Sequence, residues 1–519
     1  MTTRRQVLGW TAATAALAWA IPASPKRAAA ATTMPLTVVN NTGRYSNSAG
    51  WIYIVGTNPA GQQCYVRSDG VQVPVSTSLN GPDGYADLSI PFAGSGSTTV
   101  SLPNMSGRIY VSLDAKLKFR VVIDGNGKPA LQYPAGWVTS DPSYSVLHDC
   151  MEFTFAGSGM YCNTTMVDMF SVPMEIHLTG ASTQTAGTLT SGGRDAIFAA
   201  VSANPDFHNL VVGDSLRIIA PGHGIDGGQF SRTYYDSYID QVWNTYANQD
   251  LHVTINATTY TGRVSGNQLH FDQGVATFNR PSTQDIFYCN GALSAPNDGL
   301  TGPVAAQLGA AYNRSTLVTH PNQPVTDPSQ FYQAGITNHY SQAIHQNTVD
   351  GKAYGFPFDD VGNFASYIQD NAPTSITLTL TPFGAGGGST GGLLSQNRPA
   401  TASSTENASF PASNAYDGNT GTRWSSQFSD PQWIQVDLGA VHSVNRVRLT
   451  WEAAFGSAYQ IQTSTDGGSW STAYATSAGQ GGVEDLSFGT RQARYIRMQG
   501  TQRGTPYGYS LWEMEVYGS

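Results

Sequence analysis

Two acids, Glu152 and Asp168, stand sixteen residues apart in the stretch Cys150 to Phe170, CMEFTFAGSGMYCNTTMVDMF, whose other residues are uncharged. Only 12% of the chain is charged, so two carboxyls on one short segment are conspicuous. Such a pair suits hydrolysis of a neutral polymer: one carboxyl protonates the departing oxygen, the other activates water, and hydroxyl and amide groups hold the substrate. Alternation on either side of Gly157-Ser158 predicts a β-hairpin. With its turn there, Glu152 and Thr154 share a face, Asn163 falls opposite Glu152, Tyr161 opposite Thr154, and Thr165 continues the same parity. Met151, Phe153 and Phe155 point the other way. The polar face reads as a groove floor on which Tyr161 stacks against a ring while Thr154, Asn163 and Thr165 hydrogen-bond hydroxyls.

Asp168 has the opposite parity. On a straight strand it would lie about 16 Å beyond Asn163, too far for both carboxyls to serve one bond. A bend or bulge between Asn163 and Asp168 is therefore required.

The elements that must hold this hairpin change character along the chain. From Pro35 to about Thr188, alternating segments such as Trp51 to Val55, Ile109 to Leu113 and Phe119 to Ile123 are separated by Gly, Pro and Asn turns, which predicts a barrel or sandwich. Helical periodicity follows at Arg194 to Ser202, at Ser231 to Tyr246 with Tyr235, Ile239, Val242 and Tyr246 on one face, at Pro303 to Tyr312, and at Pro328 to Gln346. Strands such as Leu251 to Ile255 lie between them. Ser375 to Thr381 alternates again and is expected to return to the first barrel. The chain is thus mainly β, with a barrel or sandwich at about 35–188 and 350–383 and a mixed α/β insertion at about 189–349. Residues 384–392, GAGGGSTGG, form a flexible linker with a reach of about 15 to 18 Å, and 393–519 form a further domain.

The stretch EFTFAGSGMYCNTTMVDMFSVPMEI resembles the signature of glycoside hydrolase family 64, endo-β-1,3-glucanases with a thaumatin-like fold. The likeness runs over roughly residues 35 to 383, including PLTVVNNTGR from Pro35 and YGFPFDDVG from Tyr354. It implies Glu152 as general acid and Asp168 as general base of an inverting hydrolase, their carboxyls about 6.5 to 9.5 Å apart to admit water. It implies a β-1,3-glucan substrate of the laminarin or curdlan kind, a wide cleft and release of short, pentasaccharide-sized products. Ala156 and Tyr161 depart from the family pattern, where a polar residue and a larger aromatic are expected. Asp359 and Asp360 fall near the family's acidic cleft region and are candidates for substrate contact, with loop capping the alternative. The competing reading is a non-catalytic, thaumatin-like glucan-binding or antifungal protein, which would need neither acid.

Residues 393–519 resemble a galactose-binding-like β-sandwich of the discoidin, or factor 5/8 C, type, similar to carbohydrate-binding module family 32. The matching motifs are AYDGNTGTRW from Ala415, WIQVDLG from Trp433, YQIQTSTDG from Tyr459, ARYIRM from Ala493 and LWEMEVYG from Leu511. That resemblance implies a structural calcium held by Asp417, Asn419, Thr422 and Glu513, whose hard oxygens suit that ion; a metal-free Asx turn is the alternative. Trp424 and Trp433 are expected in the core, and Trp451, Glu452 and Tyr507 are candidates for the ligand edge.

Arg4-Arg5 ahead of the mostly apolar run Trp10 to Ile21, with small residues at Ala28 to Ala31, predicts a twin-arginine signal peptide over 1–31 and a secreted protein. That run is too short to span a bilayer, so no membrane association is expected. A net charge of −9 argues against nucleic acid as a partner, and a monomer is expected. Cys64, Cys150, Cys162 and Cys289 allow two disulfides with three connectivities after export, although Cys150 and Cys162 point to opposite hairpin faces. No nucleophile elbow, phosphate loop or zinc motif is present, so no catalytic cofactor is expected. His223, in the Gly-rich PGHGIDGG, reads as a structural turn residue.

Overall fold

In the computed structural model the chain is described over residues 32–383, save 95 and 214, and over 392–518. The expected signal peptide and nearly all of the linker lie outside the described residues. Two sheets face each other. The first has the strand order Thr183–Ala186, Met174–Thr179, Ser375–Leu380, Thr33–Asn40 and Thr98–Pro103. Ser375–Leu380 lies parallel to Thr33–Asn40, with Leu36 opposite Ile376, so the alternating segment after the insertion does return to the first sheet. The second runs Tyr367–Asp370, Gly159–Thr164, Leu147–Ala156, Met105–Leu113, Gly50–Thr57, Gln63–Val66 and Gln72–Pro74.

Alternation sends one set of side chains between the sheets. Leu36, Ile54, Ile109, Met151, Phe153, Cys162, Ile176 and Ile376 meet there in one buried cluster, and each large apolar side chain so enclosed contributes about 1.5–3 kcal/mol. The outer face of the second sheet is divided. One half is apolar, where Tyr53, Tyr110 and Cys150 pack against Phe119 and Leu131 of the segment that includes the hairpin Arg120–Ile123 and Pro129–Gln132. The other half carries Ser106, Arg108, Glu152, Thr154, Tyr161 and Asn163. The hairpin has the expected register, Glu152 opposite Asn163 and Thr154 opposite Tyr161.

Between the returning strands the mixed region forms its own core. Gly193–Ala203, Asp236–Asn248 and Thr301–Asn313 are helices near the expected positions, with Tyr235, Ile239, Val242 and Tyr246 all buried. Pro328 to Gln346 is not one helix. Pro328–Gln330 is a single 3-10 turn, and the α-helix is His339–His345, started by the Asn338 side chain accepting from Ser341 N. The PGHGIDGG segment is also different from expectation: Pro221–Gly227 is a short helix. Its glycines serve close packing, since a Cβ at Gly222 would lie 2.9 Å from the Tyr288 ring and one at Gly224 would lie 2.2 Å from Leu210. Only Gly228, the C-cap at φ 75°, supplies a left-handed turn.

The terminal domain is a β structure built on the long strands Gln432–Trp451 and Val483–Arg503, which pair with each other. Trp424 is fully buried in its core as expected. Trp433 is half-buried on the outer face instead, with the Arg497 guanidinium 5.8 Å from its ring. All four cysteines are buried free thiols, so the two expected disulfides are not formed. Cys162 belongs to the intersheet core and Cys150 to the outer cluster, the opposite orientation the hairpin parity required.

Candidate active site

Glu152 sits near the middle of Leu147–Ala156, flanked by Arg108 on one neighbouring strand and Asn163 on the other. Arg108 Nε and Nη2 donate to Glu152 Oε1 at 3.2 and 2.9 Å, and Asn163 Nδ2 donates to Oε2 at 3.4 Å. The sheet pairing of the hairpin's second strand stops at Thr164. The chain is then fixed by Tyr354, whose carbonyl accepts from Met166 N, and by Tyr340, whose hydroxyl donates to the Met166 carbonyl. Ala220 N donates to the Asp168 carbonyl at 3.0 Å, just before Met169–Phe170 joins a sheet of the insertion. This is the required bend. It turns the Asp168 side chain back to Arg108, whose Nη1 donates to Oδ2 at 3.1 Å.

One guanidinium therefore touches both acids, which holds their nearest oxygens within about 8 Å of each other, given the fixed planar fork of arginine. Glu152 and Asp168 side chains keep 31% and 24% of their surface, so both remain reachable from solvent. Asp168 Oδ1 meets His223 Nε2 at 2.9 Å. Burial acts to raise the Asp168 carboxyl, but Arg108 and His223 together outweigh it and hold its pKa down at about 2. His223 Nδ1 lies 3.1 Å from the Tyr288 hydroxyl, and Trp137 stacks on the imidazole at 4.2 Å.

The other proposed floor residues divide. Thr154 shares a hydrogen bond with Ser106 at 2.8 Å, and Tyr161 is half-buried with its hydroxyl donating to the Ser158 carbonyl. Thr165 is buried and its hydroxyl accepts weakly from Val167 N, so it shapes the bend beneath the site. Tyr367 was not singled out from sequence, yet it lies opposite Asn163 on the edge strand and extends the floor as an exposed aromatic. Asp359 is displaced from the expected cleft role: it is fully buried and bound by Arg314 Nη2 at 3.0 Å and His345 Nε2 at 2.9 Å. Asp360 beside it is exposed. Arg108 was missed because nothing local marks it, and His223, read from its Gly-rich segment as a structural turn residue, instead contacts Asp168. The one available signal for Arg108 was an arginine sharing a strand face with Tyr110 in an otherwise uncharged segment.

In the terminal domain Trp451 is buried, its indole N–H donating to Glu484 Oε2 at 2.6 Å, which removes it from the ligand edge. Glu452 is half-buried, with Oε2 accepting from Ala454 N. Tyr507 is 62% exposed and meets Phe428, 50% exposed, edge to face at 5.8 Å. Arg503 steadies that loop by donating to the carbonyls of Pro506 and Tyr507. Asp417 Oδ1 accepts from Asn419 N and Oδ2 from the Thr422 hydroxyl, an Asx turn closed on itself. Glu513 lies near it, buried, with Oε1 lacking a hydrogen-bond partner among the described residues. Burial, together with the Asp417 charge, pushes the Glu513 carboxyl up to about 7.

Two solvent-reachable carboxyls on the outer face of a β-sandwich, beside an inserted α/β region, offer the pair of groups that acid/base hydrolysis of a glycosidic bond requires. The β-1,3-glucanase family, glycoside hydrolase family 64, matches residues 32–380, more than half of the chain, and the chain belongs to that family. A NedA-like, galactose-binding domain matches residues 414–498. Glucan endo-1,3-beta-glucosidases of Arthrobacter sp. (strain YCWD3) and Cellulosimicrobium cellulans are each 38% identical over 301 residues, 55% of this chain and 54% of theirs. The chain thus spans about half the length of those curated relatives. A solved laminaripentaose-producing beta-1,3-glucanase in complex with laminaritetraose is 37% identical, with a TM-score of 0.63, over 68% of this chain and 99% of that one. A beta-1,3-glucanase domain from Clostridium beijerinckii is 28% identical, with a TM-score of 0.59, over 68% of this chain and all of that domain.

Proposed function

We propose that this chain is a secreted, endo-acting β-1,3-glucanase that cuts laminarin- or curdlan-like glucan with inversion, Glu152 as general acid and Asp168 as general base. The observation that carries the reading is the single Arg108 guanidinium spanning both carboxylates on an open polar floor. Glu152 Oε1 is occupied by Arg108, which leaves Oε2 to carry the proton for the departing oxygen. Asp168, held ionised, takes a proton from water as that water attacks the anomeric carbon. Ser106, Thr154, Tyr161, Asn163 and Tyr367 supply an uncharged floor for hydroxyl contacts and stacking. The deciding experiment follows hydrolysis of laminarin by proton NMR from the first seconds. α-Anomers should appear first; initial β-anomers would overturn inversion, and no reducing ends at all would favour a binding protein.

The terminal domain, in this reading, holds glucan at the exposed Phe428 and Tyr507 rings. It also fits a structural calcium. Two neighbouring carboxylates, one with an unpartnered buried oxygen, call for a cation, and Asp417, Asn419, Thr422 and Glu513 offer only hard oxygen donors. Calcium there would neutralise the Asp417–Glu513 repulsion and tie the turn to the last strand. The twin-arginine segment supports export.

A further inference from the structure

Beyond the acid pair, a line of contacts runs from the base to the surface of the insertion. Asp168 Oδ1 meets His223 Nε2 at 2.9 Å, His223 Nδ1 meets the Tyr288 hydroxyl at 3.1 Å, and that hydroxyl donates to Asp226 Oδ2 at 2.6 Å. Asp226 is exposed, and its other oxygen accepts from Gln284 Nε2 at 2.9 Å. A phenol has one proton to give. Spent on the Asp226 carboxylate, it leaves the Tyr288 oxygen as acceptor, so His223 Nδ1 must be the donor. Nε2 must donate as well, because it faces an ionised carboxylate. Both ring nitrogens therefore carry protons in this arrangement.

We propose that His223 is a positioning residue for hydrolysis: an imidazolium, fixed by Tyr288 and Asp226, that orients the Asp168 carboxylate toward the attacking water. The proposal rests on the reading of Asp168 as the base. The packing around His223 is built to hold one ring orientation. Trp137 covers one face at an interplanar angle of 18°, and Gly222 leaves the space into which the Tyr288 ring fits. Asp168 lies in a bend between two folding units, where a carboxylate tethered only by Arg108 could pivot about that single contact. The second tether, from the insertion, removes that freedom, and orientation of a reacting group is worth large factors in rate. The groups facing His223 are Asp168 from the bend, Tyr288 from Thr283–Tyr288, Asp226 from its own helix and the neutral Trp137; Arg108 and Glu152 stand beyond Asp168.

Kinetics of His223→Ala, His223→Gln, Tyr288→Phe and Asp226→Asn in the full chain test this, with unfolding curves checking that each variant is folded at the assay temperature. His223→Ala should lower kcat by about tenfold or more with KM within about twofold, and added imidazole should restore part of the rate. The acid limb of its kcat profile should move to higher pH, because Asp168 loses a neighbouring cation. Tyr288→Phe and Asp226→Asn, which loosen the hold on the ring, should lower kcat less than His223→Ala, while His223→Gln, which keeps one donor, should fall between wild type and alanine. In the wild type, 15N shifts of His223 should report protons on both nitrogens under the conditions of the assay. Wild-type kcat and acid limb in folded His223→Ala, or a neutral ring in the spectra, would overturn the proposal. Wild-type turnover in Asp168→Asn would instead remove the base on which it rests.

Discussion

Asp168 and Asp359 have the same kinds of partner, one arginine and one histidine each, at nearly equal distances. Arg108 and His223 hold the first at 3.1 and 2.9 Å, and Arg314 and His345 hold the second at 3.0 and 2.9 Å. What differs is the remainder of each carboxylate. Asp359 is fully enclosed and also accepts from Gly355 N at 2.9 Å, so its lone pairs are spent inside the protein. Asp168 keeps an open side, and its arginine is shared with a second acid. Partner identity thus does not separate a structural aspartate from the proposed base. Access for water, and a neighbouring carboxyl that can carry the complementary proton, do.

The largest expected effect is on folding. Asp359→Asn should destabilise the catalytic region by about 3–5 kcal/mol, since it strands the buried Arg314 charge, whereas Asp168→Asn leaves Arg108 paired with Glu152 and should cost far less. Chemical denaturation of both variants measures this, and equal losses would erase the distinction between the two sites. The chemistry should show the reverse. Glu152→Gln and Asp168→Asn should each lower kcat on soluble β-1,3-glucan by about two orders of magnitude or more, and near wild-type turnover in either would take that residue out of the mechanism.

A second comparison is with the terminal domain, where Asp417 and Glu513 adjoin with no protein cation between them among the described residues. Calcium at a hundred times its Kd should stabilise that domain by about 2.7 kcal/mol, visible in calorimetry of the full chain as a shift of one transition that chelator abolishes. Asp417→Ala melting that still responds to calcium would exclude this site.

The pH dependence of stability sharpens the first comparison. Burial opposes ionisation of Asp359, but His345 and Arg314 draw its carboxyl down. Its contribution is present above the unfolded value of about 3.9 and is lost as pH falls through the lower folded value. For His345, burial acts to lower the imidazole but Asp359 prevails and raises it. That contribution is complete below about pH 6.5 and is lost as pH rises through the folded value. Stability should therefore decline on the alkaline side in wild type, and His345→Gln should flatten that slope; an unchanged slope would place its origin elsewhere.

The smallest effect is expected at the exposed aromatic pair. Tyr507→Ala with Phe428→Ala should weaken retention on insoluble glucan while leaving turnover of soluble glucan within about twofold, because a tethered module acts through local concentration. Pull-down on curdlan beads beside a reducing-sugar assay separates the two readouts, and unchanged retention would move the sugar site off this edge.

Local patterning by itself determined much of this protein. Period-two alternation told which side of each strand faces the core, so the hairpin register, the opposed Cys150 and Cys162, and the return of Ser375–Leu380 were readable. The sixteen-residue spacing of Glu152 and Asp168, joined to their opposite parity, required the bend that follows Thr164. Glycine was misread where its role is not local: in PGHGIDGG, Gly222 and Gly224 make room for Tyr288 and Leu210, residues outside the segment, and the segment is helical. The same reason hid Arg108, and hid the contact of His223 with the acid; they lie 60 and 55 residues from Asp168. Periodicity fixes which face a side chain takes, but only the packing of the insertion against the sandwich decides which distant charges meet there. Tertiary packing likewise enclosed Asp359 in the catalytic region and Trp451 in the terminal domain, left Asp168 and Tyr507 open, and kept four cysteines apart as free thiols.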